Sequence, residues 1–347
     1  MFPFYEQLDL NLIWFIIVGV LLTGYAVLDG FDLGVGILHL LTKGDTERRL
    51  MLNSIGPVWD GNEVWLVTGG GALFAAFPDV YATVFSGFYI PLMLLLVMLI
   101  FRAVSIEFRS KEPMPWWRRF WDVSFSVSSL LGALILGVAL GNIARGVPLS
   151  ANREFAGTLL GLFNPYALLV GLTTVSLFAM HASIYVVMKT EGELQAKVRS
   201  WIKNTIAIFA IFYVMTTMST LLYVPQMTEH IRREPLFFVL AILDMLAIAG
   251  IPRAIYHGKD FEAFLLSCFN IVCLMALFGL GIFPDLVPAY PSTLSQNSLN
   301  IYNAASSSAT LGIMLTITLM ALPLVLSYTA SIYWIFRGKV KLTSKSY

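Results

Sequence analysis

The sequence predicts an all-α, polytopic membrane protein, and three observations support that class. First, 58% of its 347 residues are hydrophobic and only 12% are charged, whereas about a quarter of the residues in an average soluble domain are charged. Second, long apolar runs recur along the whole chain. Third, lysine and arginine are concentrated in alternate loops between these runs. A soluble protein of this composition would expose large apolar patches, which a lipid bilayer covers.

A membrane-spanning helix needs roughly 20 mainly apolar residues, because the hydrocarbon core is about 30 Å thick. Nine runs meet this need, near residues 11–41, 54–77, 80–102, 121–144, 163–188, 203–223, 236–256, 262–283 and 309–336. The first is predicted to be retained as a span, because the acidic N-terminal segment lacks the basic stretch of a cleavable signal. The second is weak because it contains Asp60, Asn62 and Glu63, and the seventh because it contains Asp244 and Pro252.

The distribution of basic residues supports nine spans and predicts their orientation. With nine spans, 18 of the 22 lysine and arginine residues lie on one side, and the other side holds only Arg145, Arg153, Arg232 and Arg233. By the positive-inside rule, the N-terminus is outside and the C-terminus is cytoplasmic. The longest outside loop, 284–308, is rich in proline, serine and asparagine. Proline and asparagine favour turns. Because the loops are short, residues 1–347 are predicted to form a single integral membrane domain.

Several classes of function are not indicated by this sequence. The net charge of +1 and the lack of a basic run provide no footprint for nucleic acid. The GxxxxGK[ST], HExxH and GxSxG motifs of ATPases, zinc proteases and serine hydrolases are absent. Cys268 and Cys273 lie five residues apart in one apolar run. They are predicted to be two buried hydrophobic side chains, with no disulfide and no metal site.

Polar residues form a stripe on the first predicted span. Tyr25, Asp29, Asp32, Gly36 and His39 recur at spacings of four and three residues, so they share one face of a helix. A charged side chain at the centre of a span costs roughly 2.5–3.5 kcal/mol. The two aspartates must therefore be paired, hydrated or protonated.

A second polar group lies on the next span, where Asp60 and Glu63 are three residues apart on one helical face. Four carboxylates on two consecutive helices repel one another when charged, so at least one is expected to exchange a proton near neutral pH. Together they are a candidate proton path. Alternatively, each is a structural, hydrogen-bonded carboxylate at interfacial depth, and the sequence leaves both interpretations open.

Other polar positions are weaker candidates. Asp122 begins the fourth predicted span, where a helix N-terminus stabilises a carboxylate, and the tryptophans before it form an ordinary interfacial belt. Arg102 and Glu107 lie near the end of the third span, where they could form a surface pair of little energetic value. Asp244 stands alone on its weak span.

The four histidines do not suggest a redox centre in this chain. His181 lies in the middle of the fifth predicted span, where a hydrogen-bonded bundle histidine is favoured over a haem ligand. His39, His230 and His257 lie near span ends and are predicted to be solvated. A redox role would need several deep histidines, and only one is deep.

Long blocks of the sequence resemble one family. The motifs are VLDGFDLGVG, then DTERRLMLNSIGPVWDGNEVWLVTGGGALFAAFPDVYATVFSGFY, then FRAVSIEFRSK, and they cover about residues 20–112 densely. Further matches are the pair Trp121–Asp122, GVALGN at Gly137–Asn142, NPYALLVG at Asn164–Gly171 and the final SYTASIYWIF. Together these blocks resemble subunit II of the cytochrome bd family of quinol oxidases.

The resemblance implies a fold, an activity and a partner. The fold is two four-helix bundles plus a peripheral helix, in the bacterial cytoplasmic membrane. The complex oxidises quinol and reduces dioxygen to water. Its haems b558, b595 and d and its quinol-oxidising loop belong to subunit I, which forms a pseudo-symmetric heterodimer with subunit II. This chain is then an accessory subunit that stabilises subunit I, binds no haem firmly and is not catalytic by itself. Whether a small single-span subunit joins is left open.

The resemblance also assigns residues. The family's cytoplasmic proton route passes the aspartate of WDGN, which matches Asp60, and the aspartates of DGFD, which match Asp29 and Asp32, are polar lining. With Glu63 these residues form the expected proton path, although some relatives have a neutral amide at the position of Glu63. In some members a quinone occupies subunit II, for which Asp29, Asp60 and Asp122 are the candidate lining, and in some an oxygen path begins near the tryptophan that matches Trp65.

A different class of function remains as an alternative, a proton-coupled secondary transporter that uses Asp29, Asp32 and Asp60 as coupling sites. Transporters often contain inverted repeats with paired broken helices. Here the glycine-interrupted segments cluster in the first third of the chain, and neither DGFD nor WDGN recurs. A purely structural scaffold is a third interpretation.

Overall fold

The computed structural model describes residues 8–224, 227 and 235–342, and it confirms the all-helical membrane class. The helices are α1 (Leu10–His39), α2 (Asp45–Ile55), α3 (Trp59–Ala76), α4 (Pro78–Gly87), α5 (Tyr89–Phe108), α6 (Pro115–Arg145), α7 (Pro165–Lys189), α8 (Gly192–Tyr223), α9 (Pro235–Tyr256), α10 (Asp260–Ile282) and α11 (Ser308–Ile335). Arg232, Arg233 and His230, discussed above, lie outside the described residues.

Within the described residues, eight helices are long and apolar enough to cross a membrane, namely α1 and α5 to α11. The weak second span corresponds to α3, which forms a helix of 18 residues. Its mean hydropathy is lower than that of the eight spanning helices, because Asp60, Asn62 and Glu63 lie in its first two turns. The ninth span, the outside N-terminus and the cytoplasmic C-terminus stay predictions.

The predicted start of the third span, at residue 80, is wrong. The chain forms the separate helix α4, breaks at Phe88 with φ −99° and ψ 20°, and begins the spanning helix α5 at Tyr89. Pro91 is tolerated in the first turn of α5 because the N–H groups there have no intrahelical acceptor. Helix α5 then continues to Phe108, six residues beyond the predicted end.

The helices pack closely along the chain, and α1 and α6 both contact α7. For reference we call α1, α3, α5 and α6 the first bundle and α7, α8, α9 and α10 the second bundle. Helix α11 lies at the periphery and contacts α1 and α3. The two four-helix bundles and the peripheral helix that the resemblance implies stay a prediction.

Glycine allows α1 and α7 to approach closely. A Cβ atom built on Gly34 would lie 2.0 Å from the carbonyl oxygen of Phe178, and one on Gly30 would lie 2.8 Å from the Phe178 ring. The two glycines are four residues apart, which is the small-residue spacing typical of tightly packed membrane helices. Beside this contact the buried rings of Phe31 and Tyr185 stack with centroids 4.0 Å apart.

The loop after α10 is ordered without an α-helix, as its composition predicts. Strand β1 (Asp285–Val287) pairs antiparallel with β2 (Leu299–Asn300), and a short 3-10 turn spans Ser292–Asn297 between them. Cys268 is half-buried and Cys273 is buried, and both are free thiols. The prediction of two buried side chains is therefore met by Cys273 and only in part by Cys268.

Candidate functional site

A buried arginine ties three helices together in the first bundle. Arg102 on α5 is only 1% exposed, and its Nη1 atom lies 2.7 Å from Oδ1 of Asp29 on α1. Its Nη2 atom donates to Oε2 of Glu63 on α3 at 3.0 Å. Buried charges are retained when they are paired and hydrogen-bonded in this way. Two of the predicted carboxylates therefore meet at a cation.

The interpretation of Arg102 as a surface residue is wrong, and the reason is the position of the helix. The sequence pattern ended the third span at residue 102, which would leave Arg102 at the membrane surface. Because α5 runs from Tyr89 to Phe108, Arg102 lies more than a turn inside the helix and faces α1 and α3. The stripe of carboxylates on α1 could have indicated that a buried cation was needed nearby.

The second aspartate of the stripe is held by a chain of neutral groups. Asp32 is 1% exposed, and its Oδ2 atom accepts a hydrogen bond of 2.8 Å from Nδ2 of Asn62. The hydroxyl of Tyr333, on peripheral α11, donates to Oδ1 of Asn62 at 2.9 Å. Asn62, noted from the sequence only as a weakness of the second span, is thus a site residue. We call Asp29, Asp32, Asn62, Glu63 and Arg102 the central cluster.

A buried oxygen of the central cluster, Oδ1 of Asp32, has no hydrogen-bond partner among the described residues. The buried hydroxyl of Tyr25, on the same stripe of α1, lies next to Asp29. Buried polar groups are normally hydrogen-bonded to protein or to ordered water. Unpaired oxygens next to carboxylates are the groups at which a proton can be passed on.

Asp60 lies apart from the central cluster. It is exposed on the first turn of α3, while Glu63 turns toward Arg102 with a side chain that is 20% exposed. The two carboxylates are therefore not equally buried, although they share a helix. Trp65 is half-buried and packs on α1, where a Cβ atom on Gly24 would lie 2.4 Å from its ring.

A second ionic cluster surrounds Asp122 at the ends of four helices. Asp122 is 1% exposed, and its carboxylate lies 2.6 Å from Nε2 of His39, 2.7 Å from Nη1 of Arg48 and 2.5 Å from Nε of Arg109. Arg109 also donates to Asp45 at 2.9 Å. We call these five residues the helix-end cluster.

Two expectations about this region are wrong. Asp122 is not at a helix start, because α6 begins at Pro115, seven residues earlier, and cations rather than the helix terminus hold its charge. His39, expected to be solvated, is 0% exposed. Helix α2 follows α1 almost directly and places Arg48 against the carboxylate that His39 contacts. A search for long apolar runs does not detect α2, because that helix is short and polar.

Helix α2 is also fixed to α8 outside the spans. Oε2 of Glu47 lies 2.6 Å from Nζ of Lys197 and accepts a hydrogen bond of 2.6 Å from the backbone N–H of Lys43. Burial disfavours the charged form of Glu47, but these two partners outweigh it and lower the pKa of the carboxyl below its ordinary value. The pair is partly exposed, so its energetic value is small.

His181 is a hydrogen-bonded bundle histidine, as favoured from the sequence. Its Nδ1 atom lies 2.7 Å from the Ser267 hydroxyl and its Nε2 atom lies 3.0 Å from the carbonyl oxygen of Val27. The ring stacks on Phe264 with centroids 5.1 Å apart. Asp244 is not alone, because Nδ2 of Asn270 donates to its Oδ1 atom at 2.5 Å.

Protein groups hold the two buried histidines among the described residues. Both ring nitrogens of His181 are hydrogen-bonded, and Nε2 of His39 is held by Asp122 while Phe125 packs edge-to-face on its ring at 5.2 Å. In the part of the chain that the structure describes, no three histidine, cysteine, aspartate or glutamate side chains are grouped to hold a metal ion.

Comparison with known proteins gives one consistent result. The family model described as cytochrome bd terminal oxidase subunit II matches residues 10–336. The chain is 36% identical to cytochrome bd-I ubiquinol oxidase subunit 2 of Escherichia coli (strain K12), with 95% of each chain covered. It is 33% identical to cytochrome bd ubiquinol oxidase subunit 2 of Bacillus subtilis (strain 168), with 96% of this chain and 97% of the relative covered.

A solved structure shows the same fold. A chain of the bd oxidase from Geobacillus thermodenitrificans is similar with a TM-score of 0.78, and the match covers 95% of this chain and 98% of that chain. The sequence identity to it is 17%, so this likeness describes the helix arrangement alone.

Proposed function

Because the chain belongs to the cytochrome bd terminal oxidase subunit II family, we propose that its central cluster carries protons through the membrane toward a haem-bearing partner subunit. The chain is a component of a quinol:oxygen oxidoreductase complex and a multi-pass protein of the bacterial inner membrane. The complex has several subunits and is associated with haem. The alternative of a secondary transporter is not favoured.

The observation that carries the proposal is Arg102, which holds Asp29 and Glu63 at hydrogen-bonding distance from two other helices. A guanidinium group does not release its proton in proteins. Arg102 therefore positions the carboxyl groups and does not itself transfer protons. Its pairing with Asp29, which is fully buried, makes that aspartate a fixed charge. Glu63, which is partly exposed, and Asp32, which retains an unpaired oxygen, are the two carboxyl groups left to exchange protons.

The proposed route begins at Asp60 on the surface of α3, continues to Glu63, and passes the Arg102–Asp29 pair to reach Asp32 and Asn62. One guanidinium cannot neutralise the two buried carboxylates and the half-buried Glu63 together, so charge balance favours at least one bound proton in the central cluster. A cluster in which carboxylates outnumber cations can bind a proton and release it again. Where the route leaves this chain toward the haems depends on the partner subunit.

We assign Asp122 a positioning role. Two guanidinium groups and the ring of His39 surround its carboxylate, and they support a fixed negative charge that holds the ends of α1, α2, α5 and α6 together. A quinone lining by Asp29, Asp60 or Asp122, and an oxygen path near Trp65, stay predictions. In the proposal the haems b558, b595 and d belong to subunit I, and this chain stabilises that subunit.

The test uses the assembled oxidase with Asp60→Asn, Glu63→Gln or Asp32→Asn. Each variant is expected to slow quinol-driven oxygen reduction, with haem absorption spectra unchanged. The matched control is Asp79→Asn, which removes an exposed carboxylate from α4 and should leave turnover at the wild-type rate. Wild-type turnover in all three variants would refute the route, and loss of haem in them would indicate a role in assembly instead.

A further inference from the structure

A pocket lies where α9 turns into α10, in the second bundle and away from the central cluster. Its volume is about 250 Å³. Its lining consists of Gly250, Ala254 and Leu266, which we call the apolar floor, and of Arg253, His257, Lys259 and Glu262, which we call the rim. Gly250 keeps the floor open, because a Cβ atom there would lie 2.9 Å from Cδ1 of Leu266.

The rim carries an excess of positive charge. Arg253 and His257 lie four residues apart, one helical turn, on α9. No carboxylate in the described part of the chain lies within ion-pair distance of either side chain. Lys259 lies 2.8 Å from Glu262, an exposed pair that neutralises only one of the basic groups. The nearest other acid, Asp260, is already paired with Arg199 on α8 at 2.7 Å.

The surroundings of the pocket are apolar and outward-facing. Tyr256 is 86% exposed, Phe261 is 62% exposed and Leu265 is 50% exposed. The charge distribution of the whole sequence predicts that this turn lies on the cytoplasmic side. A basic pocket flanked by exposed aromatic and aliphatic side chains matches the boundary between lipid headgroups and acyl chains.

We propose that this pocket binds the phosphate group of an anionic glycerophospholipid of the cytoplasmic leaflet. A guanidinium is well suited to phosphate because it donates parallel hydrogen bonds to two oxygens. The apolar floor accepts the glycerol and the start of an acyl chain, which a free phosphate ion lacks. The site is independent of the proton route, because it uses helices α9 and α10 and none of the residues of the central cluster.

The test measures lipid binding to the delipidated, assembled oxidase by native mass spectrometry. Phosphatidylglycerol and phosphatidylcholine with the same acyl chains are compared, and inorganic phosphate is added in a separate arm. The variant Arg253→Gln/Lys259→Gln is expected to bind phosphatidylglycerol at least about fivefold more weakly, since a basic residue without a paired acid, such as Arg253, contributes about fivefold near an anionic lipid, whereas Lys259 is already paired with Glu262. Phosphatidylcholine binding and oxygen reduction should be unchanged.

The matched control is Lys111→Gln/Lys203→Gln, which removes the same charge from exposed positions on the same predicted side and should change binding by about twofold or less. Equal losses in the two variants would overturn the proposal in favour of a diffuse surface field. Equal binding of the two lipids by the wild type would also overturn it. If millimolar inorganic phosphate displaces phosphatidylglycerol completely, the ligand is the free anion and the lipid assignment is wrong.

Discussion

Arg102→Gln is the sharpest perturbation of the central cluster, because it removes a cation that two carboxylates share. Asp29 is 0% exposed and would be left as a buried charge without its partner. Removing one member of a buried ion pair costs about 3–5 kcal/mol, because the remaining charge has lost its solvation and its counter-charge. The bond to Glu63 adds less, since that side chain is 20% exposed.

The double variant Asp29→Asn/Arg102→Gln tests this reasoning, because it leaves no uncompensated charge in the Asp29 position. Replacing both members of a buried pair is often nearly neutral. The losses of unfolding free energy in the single variants Asp29→Asn and Arg102→Gln are added together. Their sum should exceed the loss in the double variant by about 2 kcal/mol or more. The measurement is the free energy of unfolding of the full chain in mixed micelles, followed by circular dichroism during titration with SDS.

A surface ion pair provides the control. Arg118 lies 3.0 Å from Asp45, with side chains that are 32% and 41% exposed. Arg118→Gln is expected to cost less than about 1 kcal/mol, because water screens exposed pairs. If Arg102→Gln cost no more than this control, or if the two central substitutions were additive, the pairing of Arg102 with Asp29 would not be the interaction that holds the cluster.

Three further predictions concern packing, haem content and pH. Gly34→Ala should cost about 1–3 kcal/mol through overpacking, whereas Gly19→Ala, with no atom within 4 Å of its added Cβ, should not destabilise the chain in the same titration. His181→Asn should leave the haem content of the oxidase unchanged in absorption spectra. Glu47 has a lowered pKa, so its pair with Lys197 stabilises the fold above the unfolded pKa of about 4.3 and is lost as pH falls through the lower folded pKa. Glu47→Gln should remove less than about 1 kcal/mol at neutral pH and nothing below the folded pKa, as measured by unfolding at several pH values.

The helical class and the identity of the first-bundle carboxylates could be predicted from the sequence, because both follow from short-range patterns. Apolar runs of about 20 residues and the three- and four-residue spacings of Asp29, Asp32 and His39 are local. The role favoured for His181 also followed from local reasoning, since a deep polar ring in a bundle must find hydrogen-bond partners.

The partners of these residues could not be predicted, because they come from distant segments. Arg102 meets Asp29 across 73 residues of sequence, and Tyr333 meets Asn62 across 271. An error of six residues in the end of α5 was enough to move Arg102 from the interior to the surface. His39 was misplaced for a related reason, because the helix that covers it is short and polar and leaves no signal in hydropathy.

The balance of acid and base separates the two clusters and explains why only one of them is a candidate proton route. The central cluster contains three carboxylates and one guanidinium, and an oxygen of Asp32 within it has no described partner. The helix-end cluster has as many guanidinium groups as carboxylates, and both arginines and the ring of His39 contact Asp122. A carboxylate that is surrounded by cations keeps its charge, whereas carboxylates that outnumber their cations must bind protons or repel one another. The same fold therefore places an ionic anchor at the helix ends and the candidate proton-exchanging group deeper in the same bundle.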